Sequence, residues 1–140
     1  MSFKLRGRGV TKGKAEGEAI VSNTTFSFLG GLNPETGVIS ESGHEFEGES
    51  VAKKVFVFPR GKGSTYGPFV LVEASKNNVA PIAIINLEAE SIVATAAILA
   101  GIPLVDRLER NPLEAIRTGD LVKVDADEGV VEITRKEKDC

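Results

Sequence analysis

The amino-acid sequence predicts an α/β fold with a central parallel βαβαβ unit between β-rich N- and C-terminal segments. Residues 54–58 (KVFVF) and 81–87 (PIAIINL) are short continuous apolar runs, which is the pattern of buried parallel strands. Helical segments follow at residues 69–76 and Ser91–Ala100, and residues 103–105 form a third short strand. Strands that alternate with helices in this way pair in parallel through right-handed crossovers.

The flanking segments are predicted to contain further strands that pack on, or extend, the central sheet. Residues 4–7 and 18–22 are predicted strands on the N-terminal side. On the C-terminal side, a short helix over residues 113–117 precedes a hairpin formed by Leu121–Asp125 and Val130–Thr134. We therefore expect one domain over residues 1–140, with a frayed tail at residues 135–140.

The second helix of the central unit carries recognisable end signals. Ser91 is a candidate N-cap, and Gly101 stands where a helix commonly ends on a glycine, with Pro103 two residues further on. The sequence thus predicts a helix bounded at both ends.

Composition excludes several classes of function. The chain has 140 residues, 17 basic and 20 acidic, with a net charge of −3, so it lacks the basic character of nucleic-acid-binding proteins. Its one cysteine, Cys140, and one histidine, His44, are too few for a closed zinc site or a cysteine-ligated iron–sulfur cluster. No metal site is expected in this chain. With no intramolecular disulfide possible, a reducing, cytoplasmic location is expected.

Two further features argue against a membrane protein and a hydrolytic triad. The longest apolar stretch, residues 92–100, is far too short to cross a bilayer. His44 lies in a polar segment, residues 40–50, which we interpret as a surface loop with a solvated histidine.

A glycine-rich loop between the first central strand and the first helix is the strongest candidate site. In residues 60–65 (RGKGST), Gly61 and Gly63 let the main chain approach an anion closely, and Ser64 stands near the start of a helix between cationic neighbours. Such surroundings stabilise an alkoxide. A tight turn that caps the helix explains the same residues, and the local sequence alone favours that simpler interpretation.

The second helix and third strand resemble the core of phosphohistidine swivel domains. The matching segment is residues 92–106 (IVATAAILAGIPLVD), but Ser91 stands where those domains carry their phosphorylated histidine. Phosphoryl transfer through histidine is thereby excluded at this position, whereas a swivelling β/β/α domain remains the predicted shape.

Nine short motifs occur in order along most of the chain. They are residues 7–10 (GRGV), 15–19 (AEGEA), 28–31 (FLGG), 33–37 (NPETG), 48–51 (GESV), 57–59 (VFP), 61–64 (GKGS), 79–81 (VAP) and 100–103 (AGIP). None is specific alone, but together they resemble the swivel-domain small subunits of the aconitase X family in its archaeal, two-subunit form.

This resemblance implies an enzyme subunit that is inactive alone. It implies a heterodimer with a larger catalytic subunit that holds a [4Fe–4S] cluster, and a phosphorylated small-molecule substrate. The implied reaction is dehydration of (R)-5-phosphomevalonate to trans-anhydromevalonate 5-phosphate, with no nucleic-acid or membrane partner. The implied proton acceptor is Ser64.

The remaining loop residues are candidates for substrate binding. They are Arg60, Gly61, Lys62, Gly63 and Thr65. Solvated surface charge is the alternative for both cations, and Arg8 and Lys12 are weaker candidates.

Two other functions stay open at this point. Some aconitase X proteins dehydrate cis-3-hydroxy-L-proline, and a short separate subunit does not by itself identify the substrate. The chain is alternatively a non-catalytic swivel or interaction module that stabilises a partner.

Overall fold

A computed structural model of the protein describes residues 1–62 and 66–135. Within those residues the chain forms eight strands and four helices. The strands are β1 (Ser2–Arg6), β2 (Arg8–Thr11), β3 (Lys14–Val21), β4 (Val55–Phe58), β5 (Ala83–Asn86), β6 (Leu104–Asp106), β7 (Leu121–Asp125) and β8 (Val130–Thr134). The helices are α1 (Phe28–Gly31), which is a single irregular turn, α2 (Gly67–Lys76), α3 (Ser91–Ala100) and α4 (Pro112–Ala115).

The central βαβαβ unit is confirmed. The strands β4, β5 and β6 pair in parallel, and α2 and α3 connect them. The predicted hairpin is also confirmed, because β7 and β8 pair antiparallel from Leu121 opposite Thr134 to Asp125 opposite Val130.

The long strand β3 connects two parts of the sheet. Its first five residues pair antiparallel with β7, and its last three pair in parallel with β4, starting with Ala19 opposite Val55. The sheet order is β1-β8-β7-β3-β4-β5-β6-β2. The outer strands thus extend the central sheet and, because they share a core with it, also pack on it, so both predicted arrangements occur.

The two end strands of this order are consecutive in the chain. β1 pairs with β8 and β2 pairs with β6, and Gly7 alone separates them. The Gly7 N–H donates to the Gly129 carbonyl at 2.7 Å. Gly9 lies so close to the main chain of Ala126 that a Cβ atom would overlap its carbonyl oxygen. The sheet therefore closes on itself, and glycine makes the close approach possible.

Two hydrophobic cores separate three layers. One core lies between the two parts of the sheet and includes Val57, Ile85 and Ile133. The other lies between the parallel strands and the helices and includes Phe56 and Leu71. The two parts of the sheet and the layer of helices therefore stack in the order β/β/α, which confirms the predicted fold class.

Some boundaries differ from the prediction. Strand β2 and the first half of β3 occupy a Gly- and Lys-rich stretch, residues 9–17, in which no strand was predicted before residue 18. Helix α2 begins at Gly67, two residues before the predicted start. The described residues include no helix that is both long and apolar enough to cross a membrane.

Candidate active site

Four parallel strands end at the same edge of the molecule. β3, β4, β5 and β6 run in one direction, so the segments that follow them lie along this carboxyl edge. In parallel α/β folds, closed or open, ligands bind at the carboxyl ends of the strands. The glycine-rich loop follows β4 and therefore lies at the position where a binding site is expected.

The start of the glycine-rich loop is held by the main chain of Phe26. The Phe26 N–H donates to the Arg60 carbonyl at 3.1 Å, and the Lys62 N–H donates to the Phe26 carbonyl at 3.0 Å. Between them, Gly61 lies against the first turn of α3, where a Cβ atom would overlap the Glu90 carboxylate and the Val93 side chain. Position 61 therefore has no room for a side chain unless Glu90 and Val93 move.

Three of the predicted site residues, Gly63, Ser64 and Thr65, lie outside the described residues. Their predicted roles, including that of Ser64 as proton acceptor, stay predictions. The description resumes at Tyr66, directly before α2.

The two helices that begin at this edge have different N-termini. At α3 the Glu90 carboxylate is the cap: it accepts from the N–H of Ile92 at 3.0 Å and that of Val93 at 2.6 Å. The prediction of Ser91 as N-cap is wrong, since Ser91 is the first helical residue. At α2 the N-cap, Tyr66, makes no side-chain capping bond, and the first turn has no acidic residue. The partial positive charge at the start of α2 is therefore not offset by a carboxylate of its own first turn.

The two predicted cationic residues have different surroundings. The Lys62 ammonium lies 3.1 Å from the Glu41 carboxylate, so it already has a carboxylate partner, although its side chain stays half-exposed. The Arg60 side chain is exposed and has no ion-pair partner within the described part of the chain. The pKa of Glu88 is lowered, first by its hydrogen bond from Arg107 and then by the positive charges of Arg107 and Arg60. Arg60 is the more available cation for a substrate anion.

Arg8, a weaker candidate from the sequence, is half-exposed and forms an ion pair with a buried carboxylate. Its Nε and Nη2 donate to the two carboxylate oxygens of Asp106 at 2.9 and 2.7 Å. The Asp106 side chain is fully buried and also accepts from the Ala89 N–H at 2.8 Å. The hydrogen bonds and charge of Asp106 raise the pKa of Arg8. This pair joins β2 to β6 and holds the segment before α3, whereas Lys12 is simply exposed.

His44 is buried, contrary to its prediction as a solvated surface residue. Only 6% of its surface is exposed, and its Nε2 lies 3.1 Å from the hydroxyl of the buried Ser22, at the end of β3. The N–H of Phe46 donates to His44 Nδ1 at 2.9 Å, so the proton of the neutral ring is on Nε2. His44 therefore donates to Ser22 and cannot take its proton. Sequence analysis missed this contact because the two residues are 22 positions apart and no local pattern pairs them.

The described residues do not include a metal site. In residues 1–62 and 66–135, no group of three or more His, Cys, Asp or Glu side chains is placed to hold a metal ion. A cysteine-ligated iron–sulfur cluster needs several thiolates, and the whole sequence contains one cysteine. The residues of this chain do not fit such a cluster.

Comparisons with known proteins agree with this geometry. Residues 4–133 match the family described as the aconitase X swivel domain. The phosphomevalonate dehydratase small subunit of Methanosarcina acetivorans is 49% identical over 133 residues, which cover 95% of this chain and 92% of that protein. The protein of the same name from Thermococcus kodakarensis is 53% identical over 131 residues, which cover 94% and 96% of the two chains.

A solved structure extends the agreement to three dimensions. The crystal structure described as Thermococcus kodakaraensis aconitase X in its holo-form superposes with a TM-score of 0.90 at 52% sequence identity. The match covers 95% of this chain and 99% of that one. Sequence and fold agree over nearly the whole length, and the chain belongs to the aconitase X swivel-domain family.

Proposed function

We propose that the chain is the small subunit of a heterodimeric hydro-lyase that dehydrates (R)-5-phosphomevalonate to trans-anhydromevalonate 5-phosphate in the archaeal mevalonate pathway. The observation that carries this proposal is the near-complete match to archaeal relatives named phosphomevalonate dehydratase small subunit, at about half identity and over more than nine-tenths of each chain. The matched length includes the glycine-rich loop.

The chemistry of water loss divides between two subunits. Elimination from a hydroxy acid needs a base for a proton on carbon and a Lewis acid for the departing hydroxyl group. Membership of the aconitase X family supports a [4Fe–4S] cluster on a larger catalytic subunit, and this chain, with one cysteine, does not supply the ligands for it. Bound there, the cluster supplies the Lewis acid.

The role of this chain is to supply the base on its glycine-rich loop. Ser64 accepts the proton. A serine hydroxyl is a weak base, so its alkoxide needs stabilisation by nearby positive charge and N–H donors. The start of α2, which has no acidic residue in its first turn, and the exposed Arg60 support this role.

The same loop also binds the anionic groups of the substrate. Arg60 and Lys62 contribute cationic side chains, and Gly61, Gly63 and Thr65 contribute main-chain donors. A weakly acidic chain with a net charge of −3, and one cysteine in 140 residues, suits a cytoplasmic metabolic enzyme.

Reconstitution of the two subunits tests the proposal. This chain is co-expressed anaerobically with the large subunit from the same genome, and water loss from (R)-5-phosphomevalonate is measured for each subunit and for the complex. Complexes carrying Ser64→Ala and Ser91→Ala are compared. Ser91 is a matched control because it is an exposed serine at the same edge.

We expect activity only in the complex, a loss of at least about 100-fold with Ser64→Ala, and no change with Ser91→Ala. Full activity of the Ser64→Ala complex would instead leave this chain as a non-catalytic module. A complex that is inert toward phosphomevalonate but dehydrates cis-3-hydroxy-L-proline would overturn the substrate assignment.

A further inference from the structure

Three neighbouring parallel strands are each followed by a charged residue at the carboxyl edge. Main-chain pairing continues one residue beyond the strands: the Leu87 N–H donates to the Pro59 carbonyl at 2.9 Å, and the Arg107 N–H donates to the Leu87 carbonyl at 3.1 Å. Arg60, Glu88 and Arg107 therefore follow β4, β5 and β6 at nearly the same level. Neighbouring strands are about 4.8 Å apart, so the main chain of Arg107 lies about 10 Å from the end of β4.

The Arg107 side chain is held by Glu88. Its Nη2 donates to Glu88 Oε1 at 2.7 Å. This bond uses one of the five N–H donors of a guanidinium group, whose planar fork also suits a phosphate. The side chains of Arg107 and Glu88 are 57% and 52% exposed, so an anion can reach the pair from solvent. The guanidinium is thus both oriented and accessible.

Two further arginines lie close enough to Glu88 for their charges to act on it. The pKa of Glu88 is lowered first by its hydrogen bond from Arg107, and the charge of Arg60 adds to this effect. The pKa of Arg8 is raised first by its hydrogen bond to Asp106, and the charge of Glu88 also contributes. Three arginines against two carboxylates give this group of residues a net positive charge, in a chain whose net charge is −3. A ligand of this group is therefore expected to be an anion.

The backbone of Arg107 is in the left-handed conformation, with φ 52°. Glycine adopts this conformation without strain, whereas a residue with a Cβ atom does so at a cost. An ion pair as exposed as that of Arg107 with Glu88 contributes little stability in return. An arginine at this position is therefore better explained by what its side chain binds than by its contribution to folding.

We propose that Arg107, together with Arg60, binds the phosphate group of the substrate and so makes the enzyme specific for a phosphorylated hydroxy acid. In phosphomevalonate, two methylene groups and one oxygen separate the phosphorus from the carbon that loses the hydroxyl group. With the reacting carbons at the glycine-rich loop after β4, the phosphate lies to one side, over the ends of β5 and β6. The inference rests on the proposed function, because it places one group of that substrate.

Two arginines close together in the sequence provide a matched test. Arg107→Gln and Arg110→Gln each remove one positive charge from an exposed side chain, but the Arg110 guanidinium lies over the Phe3 ring, 5.8 Å from its centre. Arg107→Gly is the third variant, because glycine suits the backbone at this position and removes the side chain without strain. The reconstituted two-subunit complex is used throughout, and the melting temperature of each variant chain is recorded.

Two kinds of measurement are made on each complex. The kcat and KM for phosphomevalonate are determined by steady-state kinetics. Dissociation constants are determined by calorimetry for 5-phosphooxypentanoate, an analogue with no hydroxyl group to lose, and by competition for 5-hydroxypentanoate, which lacks the phosphate. The binding measurements do not depend on turnover or on the role of Ser64.

We expect Arg107→Gln and Arg107→Gly each to raise KM and the dissociation constant of 5-phosphooxypentanoate about tenfold or more, with kcat within about threefold of the wild type. The dissociation constant of 5-hydroxypentanoate should change by less than about twofold. Arg110→Gln should leave all of these values within about twofold. Arg107→Gly should melt within about 5 °C of the wild type, which separates loss of binding from loss of folding.

Unchanged KM and analogue binding in the Arg107 variants would overturn the proposal. Equal weakening of the phosphorylated and the phosphate-free ligand would also overturn it, because Arg107 would then act on another part of the substrate. Failure of the proposed function looks different: the wild-type complex itself would bind 5-phosphooxypentanoate no more tightly than 5-hydroxypentanoate. The two failures are therefore distinguishable.

Discussion

Arg60 and Lys62 are two cations in one loop, separated by a single residue, and their environments differ. Lys62 is paired with Glu41 at 3.1 Å, whereas Arg60 is exposed and its charge acts on the more distant Glu88. A cation that already has a carboxylate partner gains less from a substrate phosphate or carboxylate. The two residues should therefore contribute unequally to substrate binding.

Arg60→Gln should raise KM of the reconstituted complex about tenfold or more, and Lys62→Gln should raise it less than about threefold. The measurement is steady-state water loss from phosphomevalonate at constant ionic strength. Glu41→Gln is the control, since it frees Lys62 without removing a cation and should not raise KM. A larger effect from Lys62→Gln than from Arg60→Gln would contradict this assignment.

Helix α3 depends on a residue outside its own first turn. Glu90 accepts from two N–H groups of that turn, and Gly61 of the glycine-rich loop lies against the same carboxylate. The cap thus stabilises the helix and also forms one wall for the loop. A single side chain therefore links the geometry of α3 to that of the candidate site.

Glu90→Ala should lower the free energy of unfolding by about 1 kcal/mol, the usual effect of losing an N-cap side chain. Ser91→Ala, at the position predicted from sequence to be the cap, should change it by less than about 0.5 kcal/mol. Urea unfolding of the two variants measures the difference. Equal losses in both would show that Ser91 shares the capping role.

The elements that sequence analysis predicted correctly are those whose signal is local. Residues of β5 and α3 have apolar patterns and end signals that belong to their own segments, and Gly101 does end α3 in a left-handed conformation, with φ 72°. Strand β2 and the start of β3 are glycine-rich, and glycine does not favour strands locally. They are extended because they pair with strands more than 90 residues away in the sequence, and a local pattern does not show such pairing.

The position of the candidate site in the fold could be predicted from the sequence, but the contacts of its side chains could not. The glycine-rich loop between strand and helix indicated the carboxyl edge directly. The Glu41 partner of Lys62 and the buried contact between His44 and Ser22 depend on residues brought together by folding alone. No spacing in the sequence encodes such contacts.

At the scale of the whole molecule, one ion pair joins the two ends of the C-terminal hairpin. Arg135, after β8, donates through Nε and Nη2 to both oxygens of Asp120, before β7, at 3.1 and 2.8 Å. Burial alone would raise the pKa of Asp120. The bonds from Arg135 and the Arg117 N–H, with the charges of both arginines, outweigh burial and lower that pKa.

A carboxyl group with a lowered pKa in the folded state stabilises the protein at neutral pH. This stabilisation is present above the pKa of the unfolded chain, about 4, and is lost as pH falls through the lower folded-state value. Asp120→Asn should therefore lower the free energy of unfolding at pH 7 by about 1 to 3 kcal/mol. The difference from the wild type should shrink as pH falls below about 4.

Urea unfolding of both proteins from pH 7 to pH 3 measures this effect. Asp127→Asn, in the exposed turn of the same hairpin, is a control for general loss of negative charge. A difference between wild type and Asp120→Asn that stays constant across this range would contradict the ion-pair argument.

The single residue between β1 and β2 has a consequence for how the protein is made. β1, which precedes Gly7, pairs with β8, and the Met1 carbonyl accepts a hydrogen bond from the Arg135 N–H. β1 therefore has no pairing partner until β8 is present. During synthesis the closed sheet cannot form until the C-terminal hairpin has left the ribosome. A nascent chain therefore carries an incomplete sheet until β8 has been synthesised and released, and a partner that recognises the finished domain can bind only after that point.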